Sequence, residues 1–492
     1  MQTTISFVLD DKIVTLDFNS GSSVTPTTTV LTYLRSLPIH RGVKEGCAEG
    51  DCGACTVVLG ERAADGKLHY RNVDSCLLFL PMIHGKQLIT IENLQNVQGQ
   101  MHPVQSAIVE TGGSQCGFCT PGIVMSMFSL YKNQHAPTRE HIEEAITGNL
   151  CRCTGYRPII EAVEEACVHH GIDHFTEEEP EILELLTSIS HDSIHIQTNE
   201  QEYFRPASLK EACALKSQYP DVVILSGSTD VALRVTKGHE ILKLVMDLSG
   251  VEEIQSSREL NGALILGAGM HLHDVAHAVE VNYPALHEML SVFGSQQIRN
   301  IATIGGNLGT ASPISDLLPV LMAYQATVIL QRSGAARELL MEEFITGYRT
   351  TAREPDELIT AVRLSPSPAN AVIKSYKISK RKDLDISTVS AGFRLVLNDD
   401  TTVKEINLIY GGMAQCVRHA VHTEQFLTGK PWIRETVEAA QLMLHQDFEP
   451  IADVRGSAEF RMTAAKNLLL KFWVESLDEK MSKNILHIST RS

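Results

Sequence analysis

The feature that most constrains this chain is a group of cysteines near its N-terminus. Cys47, Cys52 and Cys55 share one short loop, and Cys76 follows after twenty intervening residues. This is the spacing at which four thiolates converge on a plant-type [2Fe–2S] cluster. Glycines interleaved with the cysteines give the loop the dihedral freedom to turn its N–H groups toward sulfur. A structural zinc site fits less well, because zinc ligands usually come as two short cysteine pairs. Disulfides are a third interpretation.

A second set of cysteines lies further along, in a segment with helical periodicity. Cys116 and Cys119 precede a helix that Pro121 opens, and Cys151 and Cys153 follow the end of another helix. On its own this set is also compatible with a four-cysteine zinc site. Beside a loop of the ferredoxin type, we interpret it as a second [2Fe–2S] site.

Composition places the chain among ordinary globular proteins. It has 492 residues, 43% hydrophobic and 21% charged, a length that predicts roughly three or four domains. A net charge of -17 without a Lys/Arg-rich run argues against nucleic acid as a partner, because phosphates would repel the chain. The sequence contains neither a signal peptide nor an apolar window long enough to span a bilayer. We therefore predict a cytoplasmic protein without membrane contact, a setting in which clustered thiols more often bind metal than form disulfides.

Hydrophobic periodicity divides the chain into segments. Strand-like alternation extends to about residue 92, and helical spacing continues to about residue 170. The acidic, Ser- and Thr-containing stretch 171–200 is interpreted as a connector with room for a short helix at 182–186. Short apolar strands and helical patterns are mixed in the remainder.

Two glycine-rich loops stand out in this mixed part. Neither is a Gly-x-Gly-x-x-Gly fingerprint, so a Rossmann-type domain is not predicted. Each offers backbone N–H groups and hydroxyls suited to a pyrophosphate, and each is equally compatible with a plain tight turn. The first loop consists of Ile224, Leu225, Ser226, Gly227, Ser228, Thr229, Asp230 and Val231, and the second includes Thr303, Ile304, Gly305, Gly306 and Asn307.

Around the cysteines, the order, the spacing and the intervening residues resemble a known family. The strings 46–55, 113–122 and 148–158 are similar to those of the molybdenum hydroxylases, and among these most similar to the xanthine dehydrogenases. The resemblance covers about residues 1–168 and resumes from about residue 203. It favours [2Fe–2S] clusters at both cysteine sets and FAD at both glycine-rich loops.

With this resemblance the predicted fold is a multidomain α+β protein. Its predicted parts, in order, are a β-grasp ferredoxin domain (1–92), a four-helix [2Fe–2S] domain (93–170), a linker (171–200), a non-Rossmann α+β FAD-binding domain (201–368) and a C-terminal α+β flavoprotein domain (369–485).

The resemblance implies a chain of redox centres. A molybdopterin centre would oxidise hypoxanthine and xanthine to urate, and electrons would pass through the second cluster, the first cluster and FAD to NAD. By position, Gln115 would touch the pterin and Tyr348 would take part in binding the nicotinamide nucleotide. The ordinary alternatives for these two residues are a polar cap and a half-buried tyrosine.

The resemblance also implies further FAD contacts in this chain. Phe293 would contact the isoalloxazine ring, Asp316 would hold the ribityl or phosphate region, and Ile359 and Lys377 would complete the site. A loop at 379–385 with three basic residues would lie beside the flavin, although such a charge run is often only a solvated turn.

In this family the molybdenum domains follow the flavin domain, whereas this sequence stops at residue 492. We therefore expect a large molybdopterin-binding subunit as partner, in a heterotetramer of two small and two large chains. Three alternatives stay open: another molybdenum hydroxylase acting on aldehydes or N-heterocycles, a zinc-binding scaffold module, and a nicotinamide oxidase independent of molybdenum.

Overall fold

The computed structural model describes residues 3–18, 22–63, 65–96, 98–168 and 171–477. In these ranges the strands are β1 (Thr4–Leu9), β2 (Lys12–Asp17), β3 (Thr56–Arg62), β4 (Leu68–Asp74), β5 (Gln87–Ile89), β6 (Ile194–Gln197), β7 (Glu202–Arg205), β8 (Val223–Leu225), β9 (Leu244–Asp247), β10 (Ser257–Leu260), β11 (Ala263–Gly267), β12 (Thr327–Arg332), β13 (Ala335–Leu340), β14 (Ile345–Gly347), β15 (Thr350–Thr351), β16 (Leu358–Leu364), β17 (Val372–Ile378), β18 (Val389–Leu397), β19 (Val403–Gly411) and β20 (Arg418–His419). The α-helices in the same ranges are α1 (Val30–Ser36), α2 (Pro103–Glu110), α3 (Thr120–Asn133), α4 (Arg139–Ile146), α5 (Arg157–Val168), α6 (His174–Ser188), α7 (Leu209–Gln218), α8 (Val231–Thr236), α9 (Leu272–Val279), α10 (Pro284–Ser291), α11 (Gln296–Arg299), α12 (Ile304–Thr310), α13 (Leu317–Ala323), α14 (Met341–Phe344), α15 (Val421–Leu427), α16 (Arg434–Asp447) and α17 (Ala458–Leu477). Short 3-10 helices cover Leu80–Ile83, Ile91–Leu94, Leu248–Gly250 and Glu252–Ile254.

These elements form two units, each with its own core. The first unit comprises Met1–Ala212, Asp221–Glu252 and Gly294–Ala302, and the second comprises Cys213–Pro220, Glu253–Phe293 and Thr303–Ser492. The first unit therefore includes α11, which lies far along the sequence from both cysteine sets. The predicted multidomain α+β fold is confirmed.

The sheet of the first cysteine region has the order β2-β1-β5-β3-β4, with β1 antiparallel to β2 and parallel to β5. Phe7 packs into the core that α1 covers, and Val8 packs into the core beneath α3. Successive side chains of a strand face opposite ways, so β1 contributes to both cores. The turn at Asp10 and Asp11 has φ angles of 52° and 56°, as a two-residue hairpin of type I′ requires. This arrangement is the predicted β-grasp fold.

The predicted four-helix segment consists of α2, α3, α4 and α5. The side chain of Thr138 accepts a hydrogen bond from the backbone N–H of His141 at the start of α4, as expected of an N-cap. Phe128 and Tyr131 of α3 are buried in a core that also takes in Tyr70 of β4. The helices thereby cover one face of the β-grasp sheet.

The segment 171–200, predicted as a connector, is more regular than expected. It contains α6, which Asp173 caps, and β6, which pairs antiparallel with β7. Phe175 and Leu186 of α6 are buried in the same core as the four helices. The domain boundaries inferred from sequence stay predictions, and the predicted end at residue 485 lies outside the described residues.

The second unit contains two larger sheets. One has the order β10-β11-β16-β12-β13 and the other has the order β17-β18-β19-β20. Phe393 of β18, Tyr410 of β19 and Phe472 of α17 share one buried core. In the described ranges no helix combines the length and apolar character that a bilayer span requires.

His84 should make the first sheet sensitive to acid. It is only 2% exposed, and its Nδ1 accepts from the Ser6 N–H (3.0 Å) while its Nε2 donates to the Ser190 carbonyl (2.8 Å). Burial lowers the pKa of His84 from 6.5 to about 4. The unfolded chain therefore takes up a proton before the folded chain does. Stability is full above pH 6.5 and decreases toward pH 4, by up to about 3 kcal/mol.

Amide hydrogen exchange of β1 and β5 between pH 7 and pH 4.5 measures this local stability. In a His84→Gln variant the amide can replace both hydrogen bonds without titrating, so its exchange should depend less on pH than that of the wild type. An equal pH dependence in the two proteins would assign the acid sensitivity to other groups.

Candidate functional site

The loop that carries Cys47, Cys52 and Cys55 has the geometry of a sulfur-binding loop. The backbone N–H groups of Glu49 and Asp51 donate to the Sγ of Cys47 at 3.4 and 3.3 Å. Left-handed backbone at residues 48, 50 and 53, with φ of 54°, 76° and 65°, turns these groups inward. The donor set fits a [2Fe–2S] cluster, whose sulfurs are stabilised by N–H donors.

The thiols of the first set meet in pairs. A hydrogen bond from Cys52 lowers the pKa of Cys47 to about 5 and raises that of Cys52. Cys55 and Cys76 form the second pair, in which a hydrogen bond with Cys76 raises the pKa of Cys55, and both residues are buried. Asp74 joins the pairs, because its Oδ1 is 3.5 Å from the Cys55 Sγ. Burial, and then the charge of Cys47, raise the pKa of Asp74 to about 7.

The second set lies at the surface. Cys116 pairs with Cys153, and Cys119 pairs with Cys151, whose Sγ is 3.2 Å from the Thr154 hydroxyl. The backbone N–H of residue 118 lowers the pKa of Cys116. Cys116 and Cys153 are exposed, as is residue 115. Within the described ranges, no group of three or more His, Cys, Asp or Glu side chains is arranged around a single metal ion.

The two cysteine loops contact each other directly. The N–H of Leu150 donates to the carbonyl oxygen of Cys52 at 3.0 Å. Next to it, the buried Asn149 amide donates to the Gly53 carbonyl (2.9 Å) and to the Thr56 hydroxyl (3.1 Å). Cys52 of the first set is thus part of this junction, and Cys151 of the second set directly follows Leu150.

A third segment closes the junction. Gln297 of α11, fully buried, donates through Nε2 to the Ser126 hydroxyl (3.0 Å) and to the Asn149 Oδ1 (2.9 Å). Arg299 of the same helix pairs with Glu144 at 2.6 Å. Sequence reasoning missed Asn149 and Gln297, because a single polar residue gives no periodic signal and its partners are distant in sequence.

Replacement of Gly122 by alanine should destabilise the protein, whereas a Gly→Ala change in a helix usually stabilises it. A Cβ at Gly122 would lie 2.1 Å from the carbonyl oxygen of Gly53. Alanine normally favours a helix by about 1 kcal/mol, but here the helix would have to move off the cysteine loop. We expect Gly122→Ala to destabilise the protein by about 2 kcal/mol.

Gly309 of α12 is the matched control, because the nearest atom to its Cβ is the Cδ1 of Ile359 at 3.7 Å. Gly309→Ala should be neutral or stabilising. Thermal unfolding of both variants tests this prediction. A Gly122→Ala protein as stable as the wild type would contradict the close contact between α3 and the Gly53 carbonyl.

The first glycine-rich loop connects β8 and α8 in the first unit. A Cβ at Gly227 would lie 2.1 Å from the carbonyl oxygen of Ile301, so only glycine fits there. Ser228 has a φ of 61° and is 4% exposed, and its hydroxyl donates to the carbonyl oxygen of Leu77. The loop is therefore held against the backbone that follows Cys76. Of the predicted FAD residues, Ile224–Val231 belong to this unit.

The other predicted FAD residues belong to the second unit. The Thr303 side chain accepts from the N–H of Gly306 (3.1 Å) and caps α12. Asn307 accepts from the Ser315 hydroxyl at 3.0 Å. Gly305 donates its N–H to the Ala268 carbonyl at 2.8 Å, next to β11.

A buried ion pair lies in the same unit. Lys377 donates to Asp316 Oδ2 at 2.9 Å and to the Val292 carbonyl at 3.0 Å, and the Ser387 hydroxyl donates to Asp316 Oδ1. Phe293, which follows Val292, is half-buried. The pair connects β17, the start of α13 and the residue before Phe293, three of the places predicted to contact FAD.

The remaining predicted positions differ in exposure. Ile359 of β16 is 7% exposed, whereas Tyr348, between β14 and β15, is 61% exposed. Ser379–Asp385 forms a surface loop in which Arg381 pairs with Asp385.

Comparison with known domain families agrees with this arrangement. Residues 90–164 match the "[2Fe-2S] binding domain", residues 197–367 match the "FAD binding domain in molybdopterin dehydrogenase", and residues 374–476 match the "CO dehydrogenase flavoprotein C-terminal domain".

Among curated proteins, the chain is 33% identical to a xanthine dehydrogenase of Emericella nidulans over 97% of its own length and 39% of that protein. It is also 33% identical to a xanthine dehydrogenase/oxidase of Gallus gallus, over 98% of its length and 40% of that protein. The chain thus spans about two fifths of the length of these relatives.

Two solved structures share the fold. A carbon monoxide dehydrogenase chain from Hydrogenophaga pseudoflava superposes with a TM-score of 0.52 at 24% identity, covering 55% of this chain and 95% of that one. A quinoline 2-oxidoreductase chain from Pseudomonas putida 86 superposes with a TM-score of 0.51 at 24% identity, covering 56% and 95%. The chain belongs to the molybdenum hydroxylase family, of which it carries the [2Fe–2S]-binding, FAD-binding and C-terminal flavoprotein domains.

Proposed function

We propose that this chain is the electron-transfer part of an enzyme of the xanthine dehydrogenase type. The observation that carries the proposal is the direct junction of the two cysteine loops, where Leu150 donates to Cys52. Such a contact lets electrons pass between two adjacent clusters within one rigid unit. The 33% identity to xanthine dehydrogenases over nearly the whole chain supports this assignment.

When bound, the clusters supply one-electron chemistry and the flavin converts it to two-electron chemistry with a nicotinamide nucleotide. The residues of this chain hold and tune these groups. Cys47, Cys52, Cys55 and Cys76 would ligate the first cluster, and Cys116, Cys119, Cys151 and Cys153 would ligate the second. N–H donors at residues 49 and 51 stabilise the thiolate of Cys47. Cys55 and Cys76 are buried, whereas Cys47 and Cys52 are half-buried.

The exposure of the two sets suggests where electrons enter. Cys116, Cys153 and Gln115 lie at the surface, whereas Cys55 and Cys76 are buried. A donor on another domain or chain can approach the second set more closely, because even the most accessible cysteines of the first set, Cys47 and Cys52, are half-buried. We therefore propose that the second cluster receives electrons from a molybdopterin centre that Gln115 faces, and that the first cluster passes them on.

The residues that would hold the flavin are those that the family resemblance implies. We propose the loop Ile224–Val231, the segment Thr303–Asn307, and Phe293, Asp316, Ile359 and Lys377 as its contacts. The Lys377–Asp316 pair, held by Ser387, supports a site in which side chains are fixed before the ligand binds. Tyr348, at 61% exposure, can reach an incoming nucleotide, and we propose it as a contact for NAD.

The partner and the substrate are proposed by analogy with the relatives. We propose that the molybdopterin domain belongs to a large partner subunit, in a heterotetramer of two small and two large chains. The substrates would be hypoxanthine and xanthine.

Anaerobic purification of the chain, alone and co-expressed with candidate molybdenum subunits, tests the proposal. The isolated chain should contain four iron atoms and one FAD, show two distinct [2Fe–2S] EPR signals on reduction, and reduce dyes with NADH but not with xanthine. Xanthine oxidation should require the partner. Zinc in place of iron, or xanthine turnover by the chain alone, would overturn the proposal.

A further inference from the structure

The first cysteine set is tied to the glycine-rich loop by one side chain. The hydroxyl of Ser228 donates to the carbonyl oxygen of Leu77, the residue that follows Cys76. Both groups lie in the first unit, and Ser228 and Leu77 are 4% and 1% exposed. The hydroxyl has a single hydrogen, and that hydrogen points to the cysteine loop.

Ser228 holds this hydrogen bond from a strained backbone conformation. Its φ of 61° lies in the left-handed region, where a serine is less favourable than a glycine. The preceding residue, Gly227, is held tightly against Ile301. A hydroxyl in such a strained and buried position is consistent with a role in orienting the loop.

The first cysteine set is also hydrogen-bonded to the second cysteine loop. The N–H of Leu150, which precedes Cys151, donates to the carbonyl oxygen of Cys52. Peptide groups next to Cys52 and Cys76 are thus hydrogen-bonded to the second cysteine loop on one side and to the glycine-rich loop on the other.

We propose that Ser228 is a positioning residue that couples the first iron–sulfur site to the flavin loop, through the hydrogen bond to the carbonyl after Cys76. This proposal rests on the proposed function. Each transfer moves one electron from the reduced cluster to the flavin, so that the cluster is oxidised and the flavin reduced by one electron, and no covalent bond forms or breaks. The hydrogen bond joins the residue after Cys76 to the glycine-rich loop, and would offer the electron a bonded connection between them.

Two variants separate the hydroxyl from the backbone strain. Ser228→Gly removes the hydroxyl and relieves the left-handed strain, so it should fold at least as well as the wild type. Ser228→Ala removes the hydroxyl and keeps the strain. Ser129→Ala is the matched control, because Ser129 is 3% exposed and donates to a carbonyl at residue 70, at 2.8 Å.

The full chain, purified anaerobically, is first assayed for iron, FAD and both EPR signals. Electron transfer between the first cluster and the flavin is then followed by flash photolysis. Because the Ser228 hydroxyl donates to Leu77, residue 228 would contact the flavin through its backbone, which both variants keep. We expect both Ser228 variants to keep FAD, iron and EPR signals and to transfer electrons about 10-fold more slowly, the lower end of what loss of an outer-shell partner typically causes. Ser129→Ala should transfer at the wild-type rate.

The possible results distinguish a failure of the proposed function from a failure of the role proposed for Ser228. Wild-type protein without clusters or flavin would overturn the proposed function and this inference together. Loaded variants with unchanged transfer rates would overturn the inference alone, as would slowing in Ser228→Ala but not in Ser228→Gly. Loss of FAD from both variants with intact clusters would show that the Ser228 hydroxyl itself holds the flavin, and would overturn the positioning role.

Discussion

Asn149→Asp should be among the most damaging single-atom changes in this protein. The Asn149 side chain is 1% exposed, and its Nδ2 donates to the Gly53 carbonyl and the Thr56 hydroxyl. A carboxylate has no hydrogen to donate, so one oxygen would face the Gly53 carbonyl and a buried charge would have no counter-ion among these partners. We expect a loss of about 3 kcal/mol or more in the stability of the first unit.

The same change should disturb both cysteine sets. Asn149 holds the chain just before Leu150 and Cys151, and its partner Gly53 follows Cys52. If the junction loosens, the second cluster should be lost first, because Cys116 and Cys153 are already exposed. Iron content and the thermal midpoint should therefore fall, and the EPR signal of the second cluster should fall before that of the first.

Asn398→Asp is the matched control. Asn398 is exposed, and its side-chain Nδ2 donates to the Thr402 hydroxyl at 2.9 Å. We expect a change within about 0.5 kcal/mol and full iron content. An Asn149→Asp protein with normal iron and stability would show that the junction does not hold the cysteine loops.

Local sequence patterns predicted most of the first unit. The hairpin at Asp10 and Asp11 follows from turn chemistry, and the start of α4 follows from the Thr138 cap. The two cysteine sets were identified because ligand spacing is a short-range signal. The buried network of Asn149, Ser126 and Gln297 could not be predicted, since it joins residues 171 positions apart in sequence.

Helix α6 shows how tertiary packing overrides a local signal. Its acidic start and Pro180 indicate a connector, because an internal proline removes a backbone hydrogen bond at a cost of about 3 kcal/mol. The structure nevertheless has a helix over His174–Ser188. Burial of Phe175, Ile182 and Leu186, at about 1.5–3 kcal/mol per side chain, offsets the proline.

Arg461→Met should destabilise the second unit and weaken flavin binding. Arg461 is 2% exposed and donates to the carbonyl oxygens of Thr388 and Gly412 and to Asp453 Oδ1 (2.7 Å). Methionine fills similar space but leaves these acceptors without a donor from residue 461. The guanidinium is also among the groups that lower the pKa of Asp453 to about 2. We expect a loss of about 3 kcal/mol, because the two carbonyl acceptors lose a donor, at about 1–3 kcal/mol each.

The effect on flavin follows from where Arg461 holds the chain. Thr388 follows Ser387, whose hydroxyl donates to Asp316, the partner of Lys377. Release of Thr388 should therefore loosen the Lys377–Asp316 pair and lower the FAD content, although residue 461 itself is not among the proposed flavin contacts.

Arg434→Met is the control, because Arg434 lies on the surface of α16 and pairs only with Glu438 among the described residues at 2.7 Å. Such exposed pairs contribute about 0.5 kcal/mol. FAD per chain and the unfolding midpoint should fall in Arg461→Met alone. An Arg461→Met protein that keeps both would show that the Ser387–Asp316 contact does not depend on Arg461.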